Sequence, residues 1–327
     1  MLKKALKYTS IVFIALGVIY ITGPAPSEFE MTMSLPKVPE GAMQVETYLD
    51  EKEAQLDTKL DNEARIVWAN DSVKQKTKYA IVYLHGFSAS HGEGYPSHLK
   101  LAKSLHANLL LARLNEHGLA GEDALLNYSS TGVVQSAAEA LAIGKQLGDS
   151  VILIGTSTGG TCALALASQF KEDIASILLF SPNIRVADER SFLLNNPWGL
   201  QIARMVYGSN FQEYDGDSVT QQYWNTKYRL EAITEMQELL ESSMNKETFE
   251  KITCPVFLAY YYKNELEQDD VVSVEAMLTM FNELGSEDKV SQAFPNAGDH
   301  VIASSYKSND HQGVFEAAEK FLVQRFQ

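Results

Sequence analysis

The stretch from Ser150 to Phe170, SVILIGTSTGGTCALALASQF, runs from β-branched residues through a glycine-rich corner into small helix formers. A strand that turns directly into a helix needs backbone without Cβ atoms where the two elements approach, and Gly155, Gly159 and Gly160 supply it. Gly155-Thr156-Ser157-Thr158-Gly159 is a G-x-S-x-G pattern. Between an apolar strand and a helix, that pattern holds its serine in a strained turn with Oγ exposed at the sheet's C-terminal edge. Ser157 is therefore a candidate nucleophile. Gly160, Ala163 and Ala167 are small enough for the following helix to pack tightly on the sheet. Sterics alone would also accept a glycine turn with an incidental serine, so the rest of the chain has to decide.

The surrounding rhythm is that of βαβ units. ARIVWAN and YAIVYLHGF are strand-like, followed by a helix around HLKLAKSLHA, a strand NLLLARL and a helix TGVVQSAAEALAIGKQLG. SILLFSP follows the serine helix. After a break come the strand CPVFLAYYY, the helix SVEAMLTMFNELG, the strand KVSQAFP and a closing helix GVFEAAEKFLVQRF. Alternating strands and helices imply a mostly parallel sheet covered on both faces. The break, residues 183–253, has no clear strand and is rich in aromatics, including Trp198, Tyr214, Trp224 and Tyr228. It reads as a helical insertion over the sheet, with Trp198 and Trp224 as candidate substrate contacts.

The N-terminus carries Lys3, Lys4 and Lys7 ahead of the apolar run YTSIVFIALGVIYITG. A charged region followed by an apolar one is an export signal that leaves the lysines in the cytoplasm. As a helix, Tyr8 to Gly23 covers roughly 24 Å, slightly short of the ~30 Å hydrocarbon core. An uncleaved signal-anchor is expected, with cleavage after Ser27 the alternative. Either places the body on the non-cytoplasmic side, membrane-anchored or secreted. The expected division is 1–23 signal-anchor or signal peptide, 24–63 linker and amphipathic helix, 64–182 first part of the core, 183–253 cap, and 254–327 second part of the core.

A formal charge of −15 argues against a nucleic-acid partner, because phosphate binding needs clustered Lys and Arg. Cys162 and Cys254 lie far apart in apolar runs and read as buried free thiols. Five of the seven histidines, at 85, 91, 98, 106 and 117, share one segment but fit no metal-binding spacing. No metal and no cofactor is expected. His117, beside Gly118, is a candidate wall of the cleft.

A serine hydroxyl becomes nucleophilic only when a base takes its proton, and the base needs an orienting carboxylate. FPNAGDHVIA places His300 beyond the final strand, and LEQDDVVSVEAM places Asp269 and Asp270 after the strand beginning at Cys254. VYLHGFSAS puts His85, Gly86 and Phe87 after a central strand, where a backbone N–H can join that of Thr158 to hold an oxyanion. From about Ala64 to Gln327 the chain resembles the α/β-hydrolase superfamily. It is most similar to the capped branch of monoacylglycerol lipases, small carboxylesterases and serine aminopeptidase-like hydrolases. HGFSAS, ARLNEHG, GTSTGG, DDVV and AGDH sit where that branch carries its oxyanion turn, His-Gly loop, nucleophile, acid and base.

The resemblance implies an α/β-hydrolase fold, a mostly parallel sheet with a helical cap. It implies Ser157 as nucleophile, His300 as base, and the Phe87 and Thr158 amides as oxyanion hole. Members commonly carry the acid near Asn264, which cannot serve as a carboxylate. The inserted ELEQD moves the acid to Asp269, which fits the D-x-V-V pattern, with Asp270 and Glu265 as alternatives. The expected activity is hydrolysis of a small-molecule carboxylic ester through an acyl-enzyme. Amide or peptide cleavage by the same residues is the alternative, as is a binding protein without catalysis. Oligomeric state is not readable from the sequence.

Overall fold

The structure, a computed structural model, describes residues 2–26 and 28–327. Its centre is a seven-stranded sheet in the order β1-β3-β2-β4-β5-β8-β11. The strands are β1 (Arg65–Val67), β2 (Thr77–Leu84), β3 (Asn108–Leu111), β4 (Gly148–Thr156), β5 (Ile174–Phe180), β8 (Val256–Tyr260) and β11 (Lys289–Ala293). Only β1 runs antiparallel, against β3, and the other pairings are parallel.

The strands read as continuous apolar runs because both faces are covered. Their period of two sorts the side chains. Val82, Leu84, Leu153 and Leu179 face α4 (Ser130–Leu147) and α5 (Thr158–Gln169). Ile81, Tyr83, Ile154 and Phe180 face α3 (Ser97–Ser104) and α11 (His311–Phe326). Ile81, Leu153 and Leu179 are fully buried, each contributing about 1.5–3 kcal/mol by transfer from water. Helices start where side chains can cap them. Ser129 accepts the Gly132 N–H at the head of α4, and Ser273 accepts the Ala276 N–H at the head of α10 (Val274–Glu283).

From β2 the chain steps outward to β3, and from β4 it steps the opposite way to β5. Loops leaving β2 and β4 therefore diverge at the sheet's C-terminal edge and open a crevice there.

Three expectations need correction. Residues 24–40 are not a free linker: Phe29 is buried and donates its N–H to Glu238 Oε1 at 2.7 Å, and Met31, Met33 and Leu35 pack on the core. The expected amphipathic helix is present as α2 (Ala42–Glu53), with Val45 and Leu49 buried against the body. Its Glu53 is held by the Arg113 fork at 2.7 and 3.0 Å. The insertion is not strand-free. Besides α6 (Gly199–Tyr207), α7 (Ser218–Tyr223), α8 (Glu231–Ser243) and α9 (Lys246–Glu250) it holds an antiparallel pair, β6 (Phe211–Glu213) with β7 (Lys227–Arg229). These strands of three residues are too short for a periodic signal.

The third correction concerns the N-terminus. Helix α1 (Leu2–Ile21) is present, yet among the described residues no helix is long and apolar enough to cross a membrane. The expected anchor is not supported. Its apolar run begins only at Tyr8 and is short of the hydrocarbon thickness. The side chains of Lys3, Lys4 and Lys7, and the cleavage point at Ser27, lie outside the described residues.

Candidate active site

Ser157 sits between β4 and α5 at φ 52°, ψ −121°, a left-handed conformation that a serine adopts only under constraint. The constraint is local hydrogen bonding. The Ser157 N–H donates to Phe180 O, and its carbonyl accepts from Gly160, Thr161 and Asn183. Space around the turn exists only for glycine. A Cβ on Gly159 would lie 2.0 Å from Leu84 O, and one on Gly155 would lie 2.5 Å from Gly159 O. The corner that drew attention in the sequence is thus a close crossing of helix over strand.

Asp269 reaches the site by a detour. After β8 the inserted residues form a small hairpin, β9 (Tyr262–Asn264) with β10 (Glu267–Gln268), closed by the Asp269 N–H donating to Tyr261 O at 3.2 Å. The excursion returns to its starting point, so Asp269 still stands at the end of β8. Its Oδ1 accepts the N–H groups of Val271 and Val272, both at 3.0 Å, which leaves Oδ2 for His300 Nδ1 at 2.7 Å. Asp270 is exposed, and Glu265, also exposed, accepts the Tyr262 hydroxyl in the hairpin. Among the three candidate carboxylates, Asp269 is the one bonded to His300.

His300 Nε2 is buried and has no hydrogen-bond partner. It shares a cavity of about 310 Å³ with Ser157. Phe87, Ser88, Glu93, Asn183, Tyr214, Trp224, Tyr228, Ile233 and Met236 complete much of the wall. Other large clefts, such as the one of about 680 Å³ between β11 and α11, contain no histidine. Among the described residues neither the Phe87 N–H nor the Thr158 N–H is spent on a protein carbonyl. Thr158 opens α5, where the first amides have no intrahelical acceptor.

Burial works against a charged imidazole at position 300. The Asp269 carboxylate outweighs it by charge and hydrogen bond, with Glu93 and Asp299 adding to the effect, and His300 ends above its ordinary range. Burial also opposes the Asp269 charge. The His300 partner and the two backbone N–H groups overcome it and hold Asp269 below the usual carboxylate range. A base must be neutral to accept a proton, so with His300 as the base activity would fall as pH drops through its value. The acid limb of kcat/KM toward a short p-nitrophenyl ester is expected to have its midpoint above about 6.5, the unperturbed imidazole value. A midpoint at or below that value would contradict the geometry.

Of the remaining candidates, Trp224 lines the cavity, whereas Trp198 and His117 do not. Trp198 is taken up by the N-terminal segment, its Nε1–H donating to Ile19 O at 3.1 Å and its backbone N–H to Pro24 O at 2.7 Å. His117 is fully buried behind Phe87, its Nδ1–H donating to Asn115 O at 2.7 Å, and burial pushes it down to about 4. His85 is also behind the cavity. Its Nε2 accepts the Leu114 N–H at 3.0 Å, and its Nδ1–H donates to the Gly86 carbonyl at 2.9 Å, which ties the loops after β2 and β3 together.

Sequence reasoning missed Glu93. The segment SASHGEGY drew attention for its histidines, and only the fold back of this loop brings Glu93 under the oxyanion turn. Its Oε2 accepts the Gly86 N–H at 2.6 Å.

With this geometry established, comparison with known proteins is informative. Residues 81–317 match the model of the alpha/beta hydrolase family. The chain belongs to that family. It is a hydrolase enzyme. No curated protein matches it. Solved structures of the same fold include a soluble variant of monoglyceride lipase from Saccharomyces cerevisiae in complex with a substrate analog. That chain is 14% identical at a TM-score of 0.61, over 93% of this chain and 100% of its own. The monoacylglycerol lipase of Paleococcus ferrophilus is 15% identical at a TM-score of 0.58, over 80% and 98%. Est1E of Butyrivibrio proteoclasticus, solved with ferulic acid bound, is 16% identical at a TM-score of 0.54, over 80% and 94%. At these identities the likeness extends to the alpha/beta hydrolase fold and stops there.

Proposed function

We propose that this hydrolase cleaves carboxylic esters through an acyl-enzyme on Ser157. The observation that carries the reading is one cavity holding both Ser157 and a histidine whose far nitrogen is bonded to a buried aspartate. In this scheme His300 Nε2 takes the Ser157 proton as Oγ attacks the ester carbonyl. The Nδ1–H bond to Asp269 keeps Nε2 as the basic nitrogen. The Phe87 and Thr158 amides hold the developing oxyanion, each such donor being worth roughly 3 kcal/mol. The protonated imidazole then gives its proton to the leaving alcohol. Water, activated by the same base, releases the acid. Ester rather than amide substrates fit the apolar lining contributed by Phe87, Ile233, Met236 and Val301. Lipase and esterase relatives of the same fold point the same way. The test is a fluorophosphonate probe on the folded protein. Covalent labelling at Ser157 together with turnover of p-nitrophenyl esters supports the reading, and a folded protein that is neither labelled nor turns over these esters overturns it.

The N-terminal helix fits a role in export, with the α/β body on the non-cytoplasmic side. Support comes from the three lysines ahead of the apolar run and from the exposed side chains of Ile11, Val12, Phe13 and Ile14. In cells, added protease is expected to digest the body from the non-cytoplasmic side. Full protection there, with digestion only after lysis, would place the body inside.

A further inference from the structure

Glu93 is fully buried, with 2% of its surface exposed, and it lines the cavity over Ser157. Its carboxyl lies close to the reacting atoms. The position a Cβ on Gly86 would occupy is 2.7 Å from Glu93 Oε1 and 3.0 Å from the Ser157 Cβ. Every hydrogen bond it receives comes from a neutral donor: the Gly86 N–H at 2.6 Å, the Tyr83 hydroxyl at 3.3 Å and the Trp224 indole N–H.

Of the other buried acids, Glu53 is clasped by Arg113, and Asp269 by His300. Glu238, like Glu93, is held by neutral donors, the Phe29 N–H and the Ser242 hydroxyl, but it lies outside the cavity that holds Ser157. Among the described residues no lysine or arginine forms an ion pair with Glu93. Lys307, over the Trp224 ring at 5.2 Å, is committed to Thr220 Oγ1 at 2.7 Å. Among the described residues the one group on this wall whose positive charge acts on Glu93 is His300, itself bonded to Asp269. A carboxylate out of water without a counter-charge is costly, and a cation entering beside it relieves that cost. Burial accordingly pushes Glu93 up to about 7, against the Gly86 N–H and the charge of His300, which act to lower it.

Aromatic rings form part of the same wall, beside its aliphatic side chains. Trp224, Tyr214, Tyr228 and Phe87 surround the same space, and Tyr228 stands edge-to-face against Phe87 at 5.3 Å. Ring faces attract ammonium groups, most strongly where water is excluded. The acidic body, at a formal −15, would in addition draw cations toward the cleft.

From these observations we propose that the cavity selects esters bearing an ammonium group, held by the Glu93 carboxylate and the Trp224, Tyr214 and Tyr228 rings. The inference rests on the ester-hydrolase reading of the same cavity and adds a substrate class to it. The ammonium could stand on either side of the scissile bond, so the experiment has two arms. One compares a choline ester with its uncharged 3,3-dimethylbutyl isostere. The other compares a trimethylglycyl ester with its tert-butylacetyl isostere. The measured quantity is the charged-to-neutral ratio of kcat/KM in the wild type divided by that ratio in Glu93→Gln, which cancels intrinsic reactivity. A quotient of about tenfold or more in at least one arm is expected, the scale of a desolvated cation contact. A quotient near one in both arms overturns the proposal.

A second measurement needs no variant. Tetramethylammonium chloride should inhibit wild-type hydrolysis of a neutral p-nitrophenyl ester competitively, and sodium chloride at equal ionic strength should not. Equal effects of the two salts also overturn it. Neutral esters that turn over without any cation effect would remove this inference alone. Loss of Ser157 labelling would remove the reading beneath it.

Discussion

Replacing Ser157 by alanine is expected to lower ester turnover by on the order of 10⁵ to 10⁶, judging from nucleophile removal in a serine protease. It should also abolish fluorophosphonate labelling. The fold should survive, because the hydrogen bonds that hold the turn use the backbone. Phe180 O accepts the residue-157 N–H, and Gly160, Thr161 and Asn183 bond to its carbonyl. Alanine keeps all four. It inherits the same left-handed strain, so the melting temperature should change little. The residual activity should come from the oxyanion amides and the cavity alone. A Ser157→Ala protein with turnover comparable to the wild type would reassign the nucleophile.

Legibility in the sequence followed the range of the forces involved. The corner at Ser157 was readable because its pattern is contiguous in sequence. Gly155 answers a steric demand set by Gly159 and Gly160, and the apolar strand and helix flanks are short-range signals, although the demand on Gly159 comes from the distant Leu84 carbonyl. The central strands were readable since burial on both faces makes them uniformly apolar. Trp198 misled for the opposite reason. An aromatic in an insertion has the same appearance whether it lines a pocket or packs against a distant segment, and here its partners are Ile19 and Pro24, far away in sequence.

Glu93 was invisible for a related reason. Nothing in SASHGEGY says that the loop folds back to place a carboxyl under Gly86. The 24–40 segment looked like linker because prolines and scattered methionines carry no periodicity, although Met31, Met33 and Leu35 each find a seat on the core. At Asn264 a register argument alone would have pointed to a residue that now sits exposed in the β9–β10 hairpin. The hairpin's closure at Tyr261 is a long-range outcome that restores Asp269 to the strand end.

That closure makes Asp269→Asn the sharpest test of the charge arrangement. In the native protein Oδ1 is already committed to the Val271 and Val272 amides, and Oδ2 accepts from His300 Nδ1. An asparagine must keep an oxygen toward the two amides, because its NH₂ group cannot accept from them. Its NH₂ then faces His300 and donates to Nδ1. The proton moves to Nε2, the nitrogen that should receive the Ser157 proton, and the base is lost with its position intact. The serine-protease template puts such a tautomer error at about 10⁴ in turnover. Removing the charge also withdraws the chief support for imidazolium, so the acid limb of whatever activity remains should shift downward. Asp270 is exposed and has no bond to His300, and Asp270→Asn should retain most of the activity with an unchanged acid limb. Both variants should be compared by steady-state kinetics on one ester, with circular dichroism to confirm folding. If Asp270→Asn were the crippled protein, the orienting acid would be Asp270. If neither variant lost activity, His300 would need no carboxylate and the triad reading would fall.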